Sequence, residues 1–330
     1  MGDFTAERPD PKSRPKANSK TGLSIWARLT LSPHYQRVST ALLKTERRRF
    51  WLLASLPILW IAVANVGPIL QMFKISFLDA YPPSVGEIPQ WTLANWRLFF
   101  EESFYLMPFA RTMIFSAVLT FITLLIMYPV AYFLAKHVSR NRQLLFLLLL
   151  LVPFWVGEIV RTYAIMILLG NRGFINLALA WLGLIERPIP FMYTNFSLGL
   201  GVIYLTSLYM LLPLYSALEK IPNSYREAAA DLGAGPWTRL WRVILPLSKD
   251  GIASGCTLVF LISTGYYATP VLLGGPSTTV FAETIAGFFH VAGNKWPAGA
   301  SFASIMLIST LSITALFLKL MGRKGGGILK

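Results

Sequence analysis

Two charged residues, Glu158 and Arg161, stand three apart inside an otherwise apolar stretch that runs from Gln143 to Gly170. An ionisable group within a hydrophobic span is costly unless it faces protein, water or a counter-charge. At spacing i, i+3 an acid and a base can pair on one helix face. Two readings follow. The pair is a structural salt bridge that holds two helices together, or Glu158 lines a polar path and helps attract a cationic solute. In the second case Trp155, Tyr163, Tyr266 and Tyr267 offer ring faces to ammonium groups, although aromatics at helical spacing also serve as packing. With a helix starting at Leu144, Glu158 lies ~21 Å along it at 1.5 Å per residue, in its outer half. Other chemistry is missing. His34, His137 and His290 are scattered without acidic or Cys partners at ligand spacing, so no metal site is expected. No Ser/His/Asp set or carboxylate pair converges, and no Gly-x-x-x-x-Gly-Lys-Ser/Thr loop exists to cradle ATP. The chain is therefore expected not to be an enzyme.

A second set of residues lies in the stretch Lys220 to Lys249. Ser224 followed by Glu227 predicts a capping box, and Gly233 a helix terminator, so a helix is expected from about Tyr225 to Leu232. Tyr225, Ala228, Ala229 and Leu232 share one face of it, and the small Ala side chains permit close approach of another surface. Gly235-Pro236 starts a second helix, with Trp237, Leu240, Trp241 and Ile244 on one side, Arg239 and Arg242 on the other, and Pro246 at its end. Such a short helix, held by a second, suits insertion into a partner's groove. A plain interfacial loop with good caps is the alternative.

The elements that must carry these residues are membrane helices. The chain has 330 residues, 55% hydrophobic and 14% charged. Uncharged runs cover Phe50 to Phe73, Thr112 to Ala135, Pro188 to Leu218, Gly251 to Ala282 and Trp296 to Leu318, each long enough for about 20 residues of helix. The Gln143 to Gly170 stretch is the sixth span. With both ends inside, 23 of the 30 Lys and Arg fall on the cytoplasmic side, so the net charge of +15 reads as membrane orientation rather than nucleic-acid binding. Pro129 and Pro153 sit inside spans and predict kinks. Residues 1–49 are expected to be a cytoplasmic tail, polar to Thr21, with interfacial helices from Leu23 to Arg49 split by Pro33. They lack an apolar core with a cleavage site, so the first span is expected to act as an uncleaved targeting signal. A membrane-spanning domain then occupies 50–320, with the inner loop at 220–249, and a cytoplasmic tail 321–330. The segment from Lys74 to about Glu102 has turn chemistry and interfacial Trp91 and Trp96. Glu283 and Lys295 fall in the last outer loop near His290 and Trp296, as an ordinary solvated loop or a contact for another protein. Cys256, the single cysteine, is expected to be a small buried residue.

Glu227-Ala228-Ala229, three residues, Gly233, nine residues, then Val243-x-Leu245-Pro246 resembles the EAA loop of binding-protein-dependent ABC importer permeases, with Val where Ile is usual. The stretches Val152 to Ala164 and Leu168 to Asn176 resemble the spermidine/putrescine class of that family, and the likeness covers roughly Arg47 to Leu320. The resemblance implies an all-α integral membrane fold, a six-transmembrane-helix type I importer permease with a cytoplasmic coupling helix, in a bacterial inner membrane with both termini inside. It implies that Ser224, Tyr225, Glu227, Ala228, Ala229, Asp231, Leu232 and Gly233 fit a cleft in a nucleotide-binding subunit. The implied partners are a dimer of ATPase subunits that bind ATP and Mg, a second related permease, a periplasmic binding protein and membrane lipid, with no cofactor on this chain. The implied solute is a polyamine such as spermidine or putrescine, with an opine, amino-acid-like solute or phosphonate as alternatives. A secondary transporter, coupled to an ion within the membrane, is a further alternative; the two related halves or broken helices usual there are not visible in the sequence.

Overall fold

The computed structural model describes residues 46–83, 86, 88–290 and 295–322. The expected interfacial helices of residues 23–45 and most of the 321–330 tail lie outside the described residues. The chain divides into two units, 1–70 and 71–330. Among the described residues five helices are long and apolar enough to cross a membrane, or six if a pair bent by 68° counts as one span.

In the first unit, α1 (Glu46–Ile61) passes Pro57 and leads through a π-helical turn, Ala62–Val66, into α2 (Gly67–Ile75). Its span is Leu53–Ile75.

In the second unit the segment after α2 is tied by an isolated antiparallel bridge between Leu78 and Trp91. Asp79 Oδ1 accepts from the backbone N–H groups of Ala80 and Gln90, so the turn is closed by one carboxylate. A short helix, α3 (Ala94–Glu101), then feeds α4 (Ser103–Lys136), 34 residues long. The α4 helix continues through Pro108 and Pro129 without interruption.

Pro153 acts more strongly than a kink. The helix α5 (Arg140–Leu151) stops, Val152–Trp155 forms a 3₁₀ turn, Val156 and Gly157 are extended, and α6 (Glu158–Leu169) starts afresh. Pro153 has no N–H to continue the ladder and sterically resists it. The continuous Gln143–Gly170 helix is thus corrected: Glu158 is the first residue of its own helix, and the span that meets the length and hydropathy requirement is Glu158–Trp181, which includes α7 (Phe174–Trp181).

The core is built by α8 (Asn195–Glu219), which packs along both α4 and a later helix, α12 (Lys249–Gly265). Thr194 and Ser197 form a capping box at its start. Between them lie α9 (Asn223–Asp231), α10 (Pro236–Arg239), a π turn at Leu240–Ile244 and α11 (Leu245–Leu247). In lipid the drive to associate is close packing rather than water release. Accordingly Gly251 of α12 lies against α8 so closely that a Cβ there would come within 2.5 Å of the Ala217 Cβ. Thr112, Thr120, Thr123 and Thr206 each bond a carbonyl four residues back, so their hydroxyls are satisfied inside apolar helices.

The uncharged run Gly251–Ala282 is not one helix. Backbone at Tyr266 turns extended, and α13 (Ala268–Leu273), the turn Pro276–Thr278 and α14 (Phe281–His290) follow. Glu283 therefore sits on a helix instead of a solvated loop. The last span is α15 (Trp296–Leu320). Phe99, Phe281 and Phe302 join α3, α14 and α15 through edge and stacked ring contacts and are almost fully buried.

Candidate functional site

The loop between α8 and α12 departs from a buried base. Ile221 and Ile244 belong to the core cluster around Leu214 and Leu218, and Lys136 Nζ at the end of α4 donates to the Ile221 carbonyl. From this anchor α9 projects with no buried residue at all. Ser224, Tyr225, Glu227, Ala228, Asp231 and Leu232 are exposed, Leu232 at 88%, and Ala229 is half-buried. Leu232 and the neighbouring alanines thus leave a partly apolar face of α9 exposed.

The cap differs from the expected one. The first helical residue is Asn223 after Pro222, and no side chain caps the start, so Ser224 already lies within the first turn and the Ser224–Glu227 box does not form. The proline sets the entry and leaves Ser224 beyond the capping position. The C-terminal signal holds: Gly233 has φ +78°, its N–H donates to Ala230 O at 2.8 Å, and Ala234 N–H donates to Ala229 O at 2.9 Å. This is the Schellman arrangement.

Pro236 occupies the start of α10 as expected, and the helical run ends at Leu247, one residue past Pro246. Pro246 has no N–H to give to Arg242, and the ladder widens to a π turn in which Leu245 N–H reaches Leu240 O. The widened turn also redistributes the faces. Leu240 and Ile244 turn inward, while Trp237 and Trp241, expected beside them, are 74% and 60% exposed. Arg239 Nε and Arg226 Nη1 are buried without a hydrogen-bond partner among the described residues. Nothing in the local periodicity marks these two arginines.

The second candidate constellation is only partly assembled. Glu158 Oε1 accepts from Thr269 Oγ1 at 3.2 Å, and Thr162 Oγ1 donates to Glu158 O at 3.0 Å while lying 3.4 Å from Thr269 Oγ1. Arg161 does not pair with Glu158: among the described residues no ion pair joins them, and Arg161 Cζ stands 4.5 Å from the centre of the Phe154 ring. Its Nε and Nη1 are buried and without partners. Tyr266 is buried. Trp155, Tyr163 and Tyr267 are exposed, at 85%, 49% and 43%. Sequence reading thus found Glu158, Arg161 and Tyr266 but missed Thr162, Thr269 and Phe154.

No family model matches the chain. The spermidine/putrescine transport system permease protein PotB of Haemophilus influenzae is 35% identical over 242 residues, 73% of this chain and 83% of that protein. PotB of Escherichia coli K12 is 33% identical over 250 residues, 76% and 89% of the two chains. The inner membrane ABC transporter permease protein YdcU of Escherichia coli K12 is 29% identical over 280 residues, 82% and 87%. A solved bacterial ABC transporter involved in import of the acidic polysaccharide alginate contains a chain of the same fold, with TM-score 0.60 and 17% identity, covering 86% of this chain and 98% of that one. A second alginate transporter structure, in complex with an alginate pentasaccharide-bound periplasmic protein, gives TM-score 0.64 at 16% identity over 84% and 96%.

Proposed function

Since this chain belongs to the permease subunits of ABC importers, in the spermidine/putrescine group, we propose that it carries a small amine-bearing solute across the inner membrane and takes its drive from a separate ATPase docked on α9. The observation that carries the docking reading is the exposure of Glu227, Ala228, Asp231, Leu232 and Gly233 in a loop whose flanking residues Ile221 and Ile244 are buried in the core. Closing of an ATPase dimer beneath the loop pushes on α9, and α12, joined to it through α10 and α11, transmits the movement to the path. One chain has one such loop and an ATPase dimer two clefts, so a second permease is needed; a related, different subunit is our reading. Both termini face the cytoplasm, because that arrangement puts 23 of 30 Lys and Arg inside. A periplasmic binding protein delivers the solute.

For the solute, the Glu158 carboxylate beside Thr269 suits an ammonium group, in keeping with a polyamine such as spermidine or putrescine. One observation favours a second reading: the unpartnered N–H groups of Arg161 suit a carboxylate or phosphonate, so an opine, amino-acid-like or phosphonate solute is the alternative.

The test uses the complex purified with its co-expressed partners. ATPase stimulation by the binding protein is compared between wild type, Glu227→Ala and Gly233→Asp. Loss of stimulation, or release of the ATPase, in either variant supports docking at α9. Full stimulation in both, with the ATPase retained, removes it.

A further inference from the structure

A cleft of about 910 Å³ opens between the second half of α4 and the α10–α11 segment. One end is cationic: Arg226 and Arg239 line it, with His137 among the other lining residues, and no carboxylate does. Buried Arg226 Nη1 and Arg239 Nε have no acceptor among the described residues, and leaving such donors unmet is costly. Lys136 stands near enough to Arg226 for the two charges to repel, with Glu219 close enough to Lys136 to attract it. Around the same end stand Tyr132, Trp237 and Trp241, the ring types that gather at headgroup depth.

The other end is apolar. Phe121, Leu124, Ile252 and Met321 form its floor, and the same four residues line an adjoining cavity of about 360 Å³ that continues along α4, α12 and α15. A cationic, hydrogen-bond-hungry mouth followed by an apolar lane matches an amphiphile with an anionic head.

We propose that this cleft is a binding site for an anionic phospholipid, its phosphate held by Arg226 and Arg239 and an acyl chain laid along α4 beside Leu124. Basic pockets between membrane helices are the kind of place where anionic headgroups settle. Charge also argues against the chain's own leading segment as occupant, since residues 1–49 carry 11 Lys and Arg against four Asp and Glu. The site goes beyond the transport reading and stands or falls independently of it.

The experiment titrates the purified permease–ATPase complex, stripped of lipid in non-ionic detergent, with phosphatidylglycerol or phosphatidylcholine and counts bound lipid by native mass spectrometry. Phosphatidylglycerol is expected to bind about tenfold or more tighter, given two arginines at the headgroup. The R226Q/R239Q double variant brings it down to the phosphatidylcholine level, Arg239→Lys retains most of the preference, and Leu124→Trp weakens both lipids with the arginines intact. Should the double variant fail to assemble, Arg239→Lys and Leu124→Trp still decide. Equal binding of the two lipids by wild type overturns the proposal, as does a preference unchanged in the double variant. Complete displacement of phosphatidylglycerol by inorganic phosphate also overturns it and makes the mouth a free-phosphate site. Release of the ATPase from the double variant with lipid binding unaltered overturns it in favour of protein carboxylates as the partners.

Discussion

Glu158 Oε1 accepts a hydrogen bond from Thr269 Oγ1 at 3.2 Å, which joins the first turn of α6 to the first turn of α13 across 111 residues of chain. Thr269 is fully buried, and Thr162 stacks its hydroxyl against the same pair. Thr269→Val keeps the shape and removes the donor. A hydrogen bond to a charged group is worth about 1.5–3 kcal/mol, and partial exposure of Glu158 brings the expected loss to about 1 kcal/mol. A thermal melt of the purified complex should show a lower midpoint for Thr269→Val and a near-normal one for Thr269→Ser.

Charge and hydrogen bond at Glu158 separate by substitution. Glu158→Gln keeps an amide oxygen to accept from Thr269 and discards the negative charge. We expect an unchanged melt and a roughly tenfold slower uptake of labelled putrescine into proteoliposomes, about 1.4 kcal/mol at the barrier. Equal uptake by Glu158→Gln and wild type would assign the carboxylate a structural role alone.

Gly233 adopts φ +78°, and a Cβ there would meet nothing within 4 Å. The cost of Gly233→Ala is therefore backbone strain, about 1–2 kcal/mol, without a clash. Because α9 is exposed and buries no residue, the strain is expected to fray its last turn and leave the core melt in place. Binding-protein-stimulated ATPase activity should fall more in Gly233→Ala than in Gly233→Asn, since Asn tolerates the left-handed region better.

What could be foreseen divides along the range of the forces involved. Gly233 and Pro236 were legible because a positive φ and a missing N–H act on their own residues. The run Trp296 to Leu318 was legible because lipid demands an uninterrupted apolar helix there. The pairing of Glu158 with Arg161 was not: both lie on α6, yet Glu158 meets Thr269, far along the chain, and the Arg161 guanidinium lies over Phe154 in the turn that Pro153 makes. Ser224 failed as a cap for a nearer reason: with Pro222 at the cap position the helix starts two residues too early for it. Arg226 and Arg239 look like ordinary surface cations until a π turn, itself a response to Pro246, rotates the second helix over α4.

The closest approach of α8 and α12 gives a graded packing test. At Gly251 a Cβ would lie 2.5 Å from Ala217 Cβ and 2.7 Å from the Pro213 carbonyl, both parts of the helix itself. One turn later, at Gly255, the nearest atom is Met210 Sδ at 2.7 Å, in a flexible side chain, and the nearest backbone atom is the Met210 carbonyl oxygen at 3.2 Å, a milder contact than at Gly251. Gly251→Ala must push the helices apart, and overpacking of this kind costs about 1–3 kcal/mol, whereas Met210 can swing aside for Gly255→Ala. The melting midpoint should drop clearly for the first and little for the second.

Glu283 supplies a pH-dependent contribution with a definite sign. It lies half-buried on α14, outside the membrane-crossing helices, and burial pushes its carboxyl above the usual carboxylate range, offset in part by a hydrogen bond from the Val280 backbone. A folded-state value above the unfolded one means that the fold favours the protonated form. The stabilising contribution is then fully present below the unfolded value, about 4.3, and is lost as pH rises through the folded value. At neutral pH the ionised carboxylate is a net burden. Glu283→Gln should therefore melt higher than wild type at pH 7.5, with the gap closing as the pH is lowered toward the unfolded value. A constant gap across that window would mean that the substitution acts through packing of α14 and not through the proton.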